Sequence, residues 1–358
     1  MTHKPLITAF ALGSATLAGG ATLDFDPAQY REQTATVNGE TITYRAYENL
    51  PYVAKPVDAA HQTINIYIPA AYYTGGSING YTAATAPIFL PNQIGGYMPA
   101  TAGVPGSGGH SKKAGADAMQ TALAKGYIVA SPGARGRTSA DGKAPAAIID
   151  LKAAVRYLKH NNANMAGDAN KIISNGTSAG GALSILLGAS GNAPDYDAAL
   201  KALGAADAPD DIYAVSAYSP ISILDHADSA YEREFHGVND YEKISARQVD
   251  YHVERQLQKG TLTAAEQQTS ADLKAQFPAY INSLGPKNSD GTALTLNADG
   301  SGSFHDHVAG YIARSAEAAL KSGQTTAEKL AAEHPWLTLD GGRVTAVDFA
   351  AYAQAAGR

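Results

Sequence analysis

The run Asn175-Gly176-Thr177-Ser178-Ala179-Gly180-Gly181 holds the most legible chemistry in this chain. It follows a strand-like stretch, Lys171-Ile172-Ile173-Ser174, and precedes a helix-like one, Ala182-Leu183-Ser184-Ile185-Leu186-Leu187. A G-x-S-x-G match between a strand and a helix is the signature of a nucleophile elbow. The flanking glycines let the two backbones approach closely around a strained serine. Ser178 Oγ would stand at the tip of the turn as a nucleophile. The N–H of Ala179, at the helix start, would face a developing oxyanion. The competing reading is a glycine-rich turn with an ordinary capping serine. The flanking context and the extra Gly181 favour the elbow.

A serine nucleophile also needs a second oxyanion donor, a base and a carboxylate to orient the base. The second donor is expected from the loop after an early strand. Ile88-Phe89-Leu90-Pro91 leads into Asn92-Gln93-Ile94-Gly95-Gly96-Tyr97, and Gly95-Gly96 can bring a backbone N–H to substrate with no Cβ in the way. A plain tight turn is the alternative there. Six histidines follow Ser178: His226, His236, His252, His305, His307 and His334. None follows a late strand, where a triad histidine belongs. An internal triad would have to draw on Asp225 with His305 or His307. Asp225-His226-Ala227-Asp228 could also suggest a metal cluster. Adjacent side chains point in different directions and the set is small, so no metal is assigned.

The elements that must position these residues read as an alternation. Residues 34–48 alternate around Asn38-Gly39, a strong hairpin signal. Residues 61–69 and 86–91 read as strands. Residues 113–125 read as a helix capped by Gly126, and 127–130 as a strand. Residues 144–160 carry apolar residues at helical spacing, and 211–223 read as a further strand. An antiparallel start followed by βαβ units predicts an α/β fold with a mostly parallel sheet. Past Asp225, residues 241–284 and 304–333 read as helices, 336–344 as a hairpin and 347–358 as a helix. The expected division is a leader over 1–22, an α/β-hydrolase core over 23–224 and a mostly helical cap insertion over 225–358.

Composition narrows the function. Of 358 residues, 45% are hydrophobic and 17% charged, enough apolar material for a large core. A net charge of −6 gives no reason to expect a nucleic-acid partner. The absence of cysteine removes disulfides, thiolate metal sites and a cysteine nucleophile. No apolar run reaches the ~20 residues of a membrane span. The N-terminus is short and basic, then apolar and rich in small residues up to Ala21, which resembles a signal peptide and predicts a secreted or periplasmic protein; a cytoplasmic one with an alanine-rich leader is the alternative.

From Leu23 onward the chain resembles the bacterial tannases, α/β-hydrolases that cleave galloyl esters. The resemblance is carried by Tyr52-Val53-Ala54-Lys55-Pro56-Val57, Asn65-Ile66-Tyr67-Ile68-Pro69, Pro91-Asn92-Gln93-Ile94-Gly95-Gly96-Tyr97 and Arg135-Gly136-Arg137-Thr138. It continues through Asp150-Leu151-Lys152-Ala153-Ala154-Val155-Arg156-Tyr157, the elbow itself, Ala214-Val215-Ser216-Ala217-Tyr218 and Leu224-Asp225-His226-Ala227-Asp228. It implies Ser178 as nucleophile and Ala179 with the Gly95-Gly96 turn as oxyanion donors. It also implies that Ile221 lies against the aromatic ring of the acyl group, that the substrate is a small phenolic ester, and that no cofactor is needed. In that family the Lys and Glu that read the galloyl hydroxyls, and then the acid and histidine of the triad, come later than Arg358. The expectation is therefore a C-terminally truncated chain lacking the last sheet strands, weak or inactive for want of a base, with residues 211–220 forming an open sheet edge. Two further readings stand beside the tannase-type esterase: a broader carboxylesterase, and a non-catalytic binding protein that keeps the cleft without the base.

Overall fold

The computed structural model describes residues 22–107, 116–222, 224–249 and 252–358. It falls into two compact units, Met1–Ser222 and Ile223–Arg358. Residues 1–21 of the expected leader, and 113–115 of the helix expected over 113–125, lie outside the described residues.

The first unit opens with the hairpin of β1 (Arg31–Val37) and β2 (Glu40–Pro51). Its connection, Asn38 and Gly39, has φ of 52° and 86°, the positive pair that a two-residue primed turn requires. There follow β3 (Thr63–Pro69), β4 (Pro87–Pro91), α1 (Ala118–Ala124), β5 (Ile128–Pro132) and α2 (Ala146–His160). Then come β6 (Asp168–Thr177), α3 (Ala179–Ala189), α4 (Asp197–Ala202) and β7 (Ala214–Tyr218). The seven strands make one sheet in the order β1-β2-β3-β5-β4-β6-β7. Pairing is parallel from β5 to β7 and antiparallel from β1 to β5. This is the α/β architecture that the alternation of elements predicts, and among the described residues β7 ends the sheet.

The central strands are apolar on both faces, as strands covered on both sides must be. Ile64, Ile66 and Ile68 of β3, Ile88 of β4, Ile128 of β5 and Ile172 of β6 are all fully buried. From α2, Ile148, Leu151, Val155 and Leu158 join the same core, their spacing placing them along one helix stripe. α1 starts at a capping box, in which Asp117 accepts from Gln120 N–H and Gln120 accepts from Asp117 N–H. The strand expected over 211–223 is shorter than its apolar pattern. It stops at Tyr218 because Ser219 takes a φ of 42° and Pro220 has no N–H for the ladder.

A buried ion cluster ties α2 to the loop before β7. Lys152 Nζ and Arg156 Nε donate to the two oxygens of Asp210, each at 2.8 Å, and Asn192 N–H also donates to Asp210 Oδ1 at 2.8 Å. Burial alone would raise the Asp210 carboxyl pKa, but the bonds from Lys152, Asn192 and Arg156 outweigh it and hold it below the usual carboxylate value. A depressed folded pKa gives stability that is present above the unfolded value, about 3.9, and is lost as pH falls through the folded one. The melting temperature is thus expected to fall as pH drops below about 4. Asp210→Asn should lower it at pH 7 and remove that part of the acid dependence, both measurable by calorimetry.

The second unit contains α5 (Ala227–Phe235), β8 (Asp240–Val249), β9 (His252–Thr261), α6 (Ala264–Ser283), α7 (Ser303–Lys321) and α8 (Ala327–Glu333). It ends with β10 (Leu337–Asp340), β11 (Arg343–Val347) and α9 (Phe349–Ala356). Of the helical stretch expected over 241–284 only the part from Ala264 is helix among the described residues, while the helices expected over 304–333 and 347–358 and the 336–344 hairpin are present. The helix expected over 241–261 is absent: β8 and β9 pair there as an antiparallel ribbon with Ile244 opposite Leu257. Its Ala, Gln, Glu and Lys favour a helix only weakly, a preference that cross-strand pairing overrides. α6 begins immediately after, at the capping box of Thr263 and Glu266. Phe277, Ile281 and Leu296 form a small core of this unit. Among the described residues no helix is long and apolar enough to cross a membrane.

Candidate active site

β6 delivers the chain to Ser178 and α3 carries it away. Ser178 has φ 59° and ψ −121°, outside the regions L-residues favour, and its side chain makes no cap hydrogen bond. An ordinary capping serine has an extended backbone and accepts from the helix N–H groups. Ser178 does neither, so the capping alternative falls. Such a conformation costs about 1–3 kcal/mol and persists only where neighbours over-determine it. Here Ser178 N–H donates to Tyr218 O at 3.0 Å, and Ser178 O accepts from Ala182 N–H at 3.0 Å and Ile221 N–H at 3.2 Å. Ser178 is partly exposed and Ala179 is buried. Ala179 is the first residue of α3, where an N–H has no partner within the helix.

The flanking glycines are demanded by packing. A Cβ on Gly176 would run into the Gly180 carbonyl group and lie 2.7 Å from Asn92 Nδ2; one on Gly180 would collide with Asn92 Oδ1 and lie 2.7 Å from Ile94 O. Gly180→Ala is therefore expected to force the 92–94 loop away from the elbow. The cost should be about 1–3 kcal/mol, read as a lower melting temperature together with lost ester cleavage.

Asn92 joins this loop to the elbow. Its Nδ2 donates to Asn175 O at 3.0 Å, Gly180 O at 3.1 Å and Ser184 Oγ at 3.0 Å, and its Oδ1 accepts from Ile94 N–H at 3.3 Å. The sequence assigned Asn92 no role. Its one visible signal was a short polar side chain directly after a buried strand. Next in the chain is the turn of Gly95 to Met98, closed by Met98 N–H to Gly95 O at 3.0 Å, with φ of 58° at Gly96 and 57° at Tyr97. Ile221 reaches the same place from the other side. Its N–H is on Ser178 O, its carbonyl accepts from Tyr97 OH at 2.9 Å, and its side chain is 47% exposed. Ile221 is bonded to Ser178, and the Gly95-Gly96 turn is linked to it through Tyr97 and follows Asn92, which bonds the elbow, all by contacts within the first unit.

The histidines whose side chains are described make the following contacts within their own units. In the first unit His61 Nδ1 is 2.7 Å from Asp58, and His160 Nε2 is 3.5 Å from Asp24. In the second, His226 stacks on Tyr280 with ring centres 3.7 Å apart, and His236 Nδ1 is 2.9 Å from Ser270 Oγ. His305 lies beside Asp306 and Phe349, His307 against Tyr311, and His334 against Trp336. The second unit has its own cavity of about 630 Å3, lined in part by Arg233, Glu234, His236, Lys274, His305 and Phe349. Burial pushes the Glu234 carboxyl up, against the pull of Arg233 and His305. Among the described residues no three His, Asp or Glu side chains gather as a metal-ligand set, Asp225, His226 and Asp228 included.

Comparison with known proteins shows the family of the chain. Residues 87–281 match the family model described as BD-FAE. The crystal structure of Fusobacterium nucleatum tannase is 47% identical, with a TM-score of 0.75 over 93% of this chain and 71% of that one. A Lactobacillus plantarum tannase structure is 43% identical, with a TM-score of 0.74 over 94% of this chain and 72% of that one. A tannin acyl hydrolase solved with ethyl gallate is 44% identical, with a TM-score of 0.71 over 94% and 71% of the two chains. Comparison with curated proteins gives no match.

Proposed function

Since this chain belongs to the bacterial tannase family of α/β-hydrolases, we propose that it cleaves galloyl or closely related phenolic esters through an acyl-enzyme on Ser178. Ester hydrolysis is the chemistry common to its relatives; the substrate class and the serine mechanism are our reading. Ser178 Oγ attacks the ester carbonyl carbon and gives its proton to a general base, a role to which none of the histidines described above is assigned. The resulting oxyanion is held by Ala179 N–H and by the Gly95-Gly96 turn. Collapse expels the alcohol, which takes the proton back. Water, deprotonated by the same base, then frees the acid and restores Ser178. Every step moves a proton or a carbonyl electron pair, so none requires a cofactor. Ile221, exposed beside the nucleophile, offers an apolar face to the aromatic ring of the acyl group.

The observation that supports this reading most is the constrained serine. A backbone conformation that costs energy, held by three hydrogen bonds and enforced by glycines without room for a Cβ, fits a residue that must present its oxygen. The tannin acyl hydrolase solved with ethyl gallate suggests the assay. Release of the free acid from ethyl gallate, faster than acetate from ethyl acetate, is expected. Preference for ethyl acetate would favour the broader carboxylesterase. Cleavage of neither would remove the enzymatic reading and leave a binding protein.

A further inference from the structure

We propose that Tyr97 is a positioning residue for this reaction, tying the Gly95–Met98 turn to the Ile221 segment so that the turn's amides stay aimed at the oxyanion. This rests on the ester-hydrolase reading of the elbow. Tyr97 has a φ of 57°, a left-handed conformation unusual for a bulky side chain, and its neighbour Gly96 is also left-handed. A residue held there points to a constraint that the surroundings impose.

The constraint has two sides. On one, residues 134–137 run alongside residues 97–100. Ala100 N–H donates to Ala134 O at 3.0 Å, Ala134 N–H returns a bond to Ala100 O at 2.8 Å, and Arg137 N–H donates to Tyr97 O at 2.8 Å. Arg137 Nε also donates to Gly96 O at 2.8 Å. Gly136 lets the segments lie this close, because a Cβ there would collide with the Met98-Pro99 peptide. On the other side the turn meets the elbow's own neighbour through one bond, from Tyr97 OH to Ile221 O at 2.9 Å. Ile221 N–H is in turn bonded to Ser178 O. The phenol therefore closes a loop of contacts from the turn through Ile221 to the nucleophile. Burial raises the phenol's pKa, so it stays protonated and able to donate at working pH.

Tyr97→Phe removes that one O–H and keeps the ring. On ethyl gallate its kcat is expected to fall about fivefold, the scale of one neutral hydrogen bond, with KM and the melting temperature nearly unchanged. Amide exchange should quicken in residues 94–98 and 219–222 and nowhere else. A wild-type kcat with unchanged exchange overturns the proposal, as does a raised KM with kcat intact, which would make Tyr97 a substrate contact. Failure of the underlying reading looks different: Ser178→Ala would then hydrolyse as fast as the parent chain. Should the parent chain cleave no ester, amide exchange still decides: local quickening supports the tie, and no change overturns it.

Discussion

Replacing Ser178 with alanine is expected to remove phenolic ester cleavage down to the background of the oxyanion hole and binding, a loss of about 10⁶-fold where a base completes the triad and a smaller one where the base is already missing. Only oxyanion stabilisation and substrate binding would remain, worth roughly 10³–10⁴ over the reaction in water. Folding should be almost untouched. Ser178 makes no side-chain cap bond, and its three structural hydrogen bonds come from its backbone, which alanine keeps. Steady-state kinetics beside a thermal melt would separate the two effects. A large activity loss at an unchanged melting temperature is the expected pair of results.

The largest expected effect on stability lies away from the nucleophile, at Asp150. This carboxylate is fully buried and accepts from Arg135 Nε, from Arg135 Nη2 at 2.8 Å, from Arg135 N–H at 2.8 Å and from Gln62 Nε2 at 2.8 Å. Burial alone would weaken the positive charge on Arg135, but pairing with Asp150 more than offsets it, and the guanidinium pKa ends raised. Asp150→Ala would leave that buried cation without its partner, which costs about 3–5 kcal/mol. At 2–4 °C per kcal/mol for a domain of this size, the melting temperature should drop by roughly 6–20 °C. Activity should fall as well, because Arg135 lies within the 134–137 segment that braces the Gly95–Met98 turn. Asp150→Asn can still accept one bond and is expected to lose less, which would assign the effect to the charge pair rather than to the side chain's volume.

Much of this architecture was legible because it is written locally. Asn38-Gly39 announced its hairpin through a residue pair that tolerates two positive φ values. The alternation of short apolar strands with helical spacing from residue 86 onward announced a parallel sheet. The glycines around Ser178 marked a place where two backbones must touch. The misreadings have physical causes too. Residues 240–249 and 252–261 contain Ala, Gln, Glu and Lys that favour a helix only weakly, yet pairing between β8 and β9 decides their state, and no single-residue preference encodes a partner strand. The strand after residue 211 ends at Tyr218 through a backbone angle at Ser219, which its serine identity does not reveal, and through Pro220, whose missing N–H was a legible stop signal masked by the apolar pattern. The brace of the candidate site was the least legible part. Asn92, Tyr97 and Arg137 act by reaching segments about 40 to 120 residues away, and in sequence they are only a polar residue, an aromatic one and a charged one.

The most direct measurement of the central claim is mass spectrometry after incubation with a fluorophosphonate. The expected result is a phosphonyl group on the peptide containing Ser178 and absent from Ser178→Ala; one group on every chain would mean that a working base lies within these residues, against the missing base that the resemblance implies. Labelling at another residue, equal labelling of the variant, or none on the folded chain would contradict the assignment of this elbow as the nucleophile.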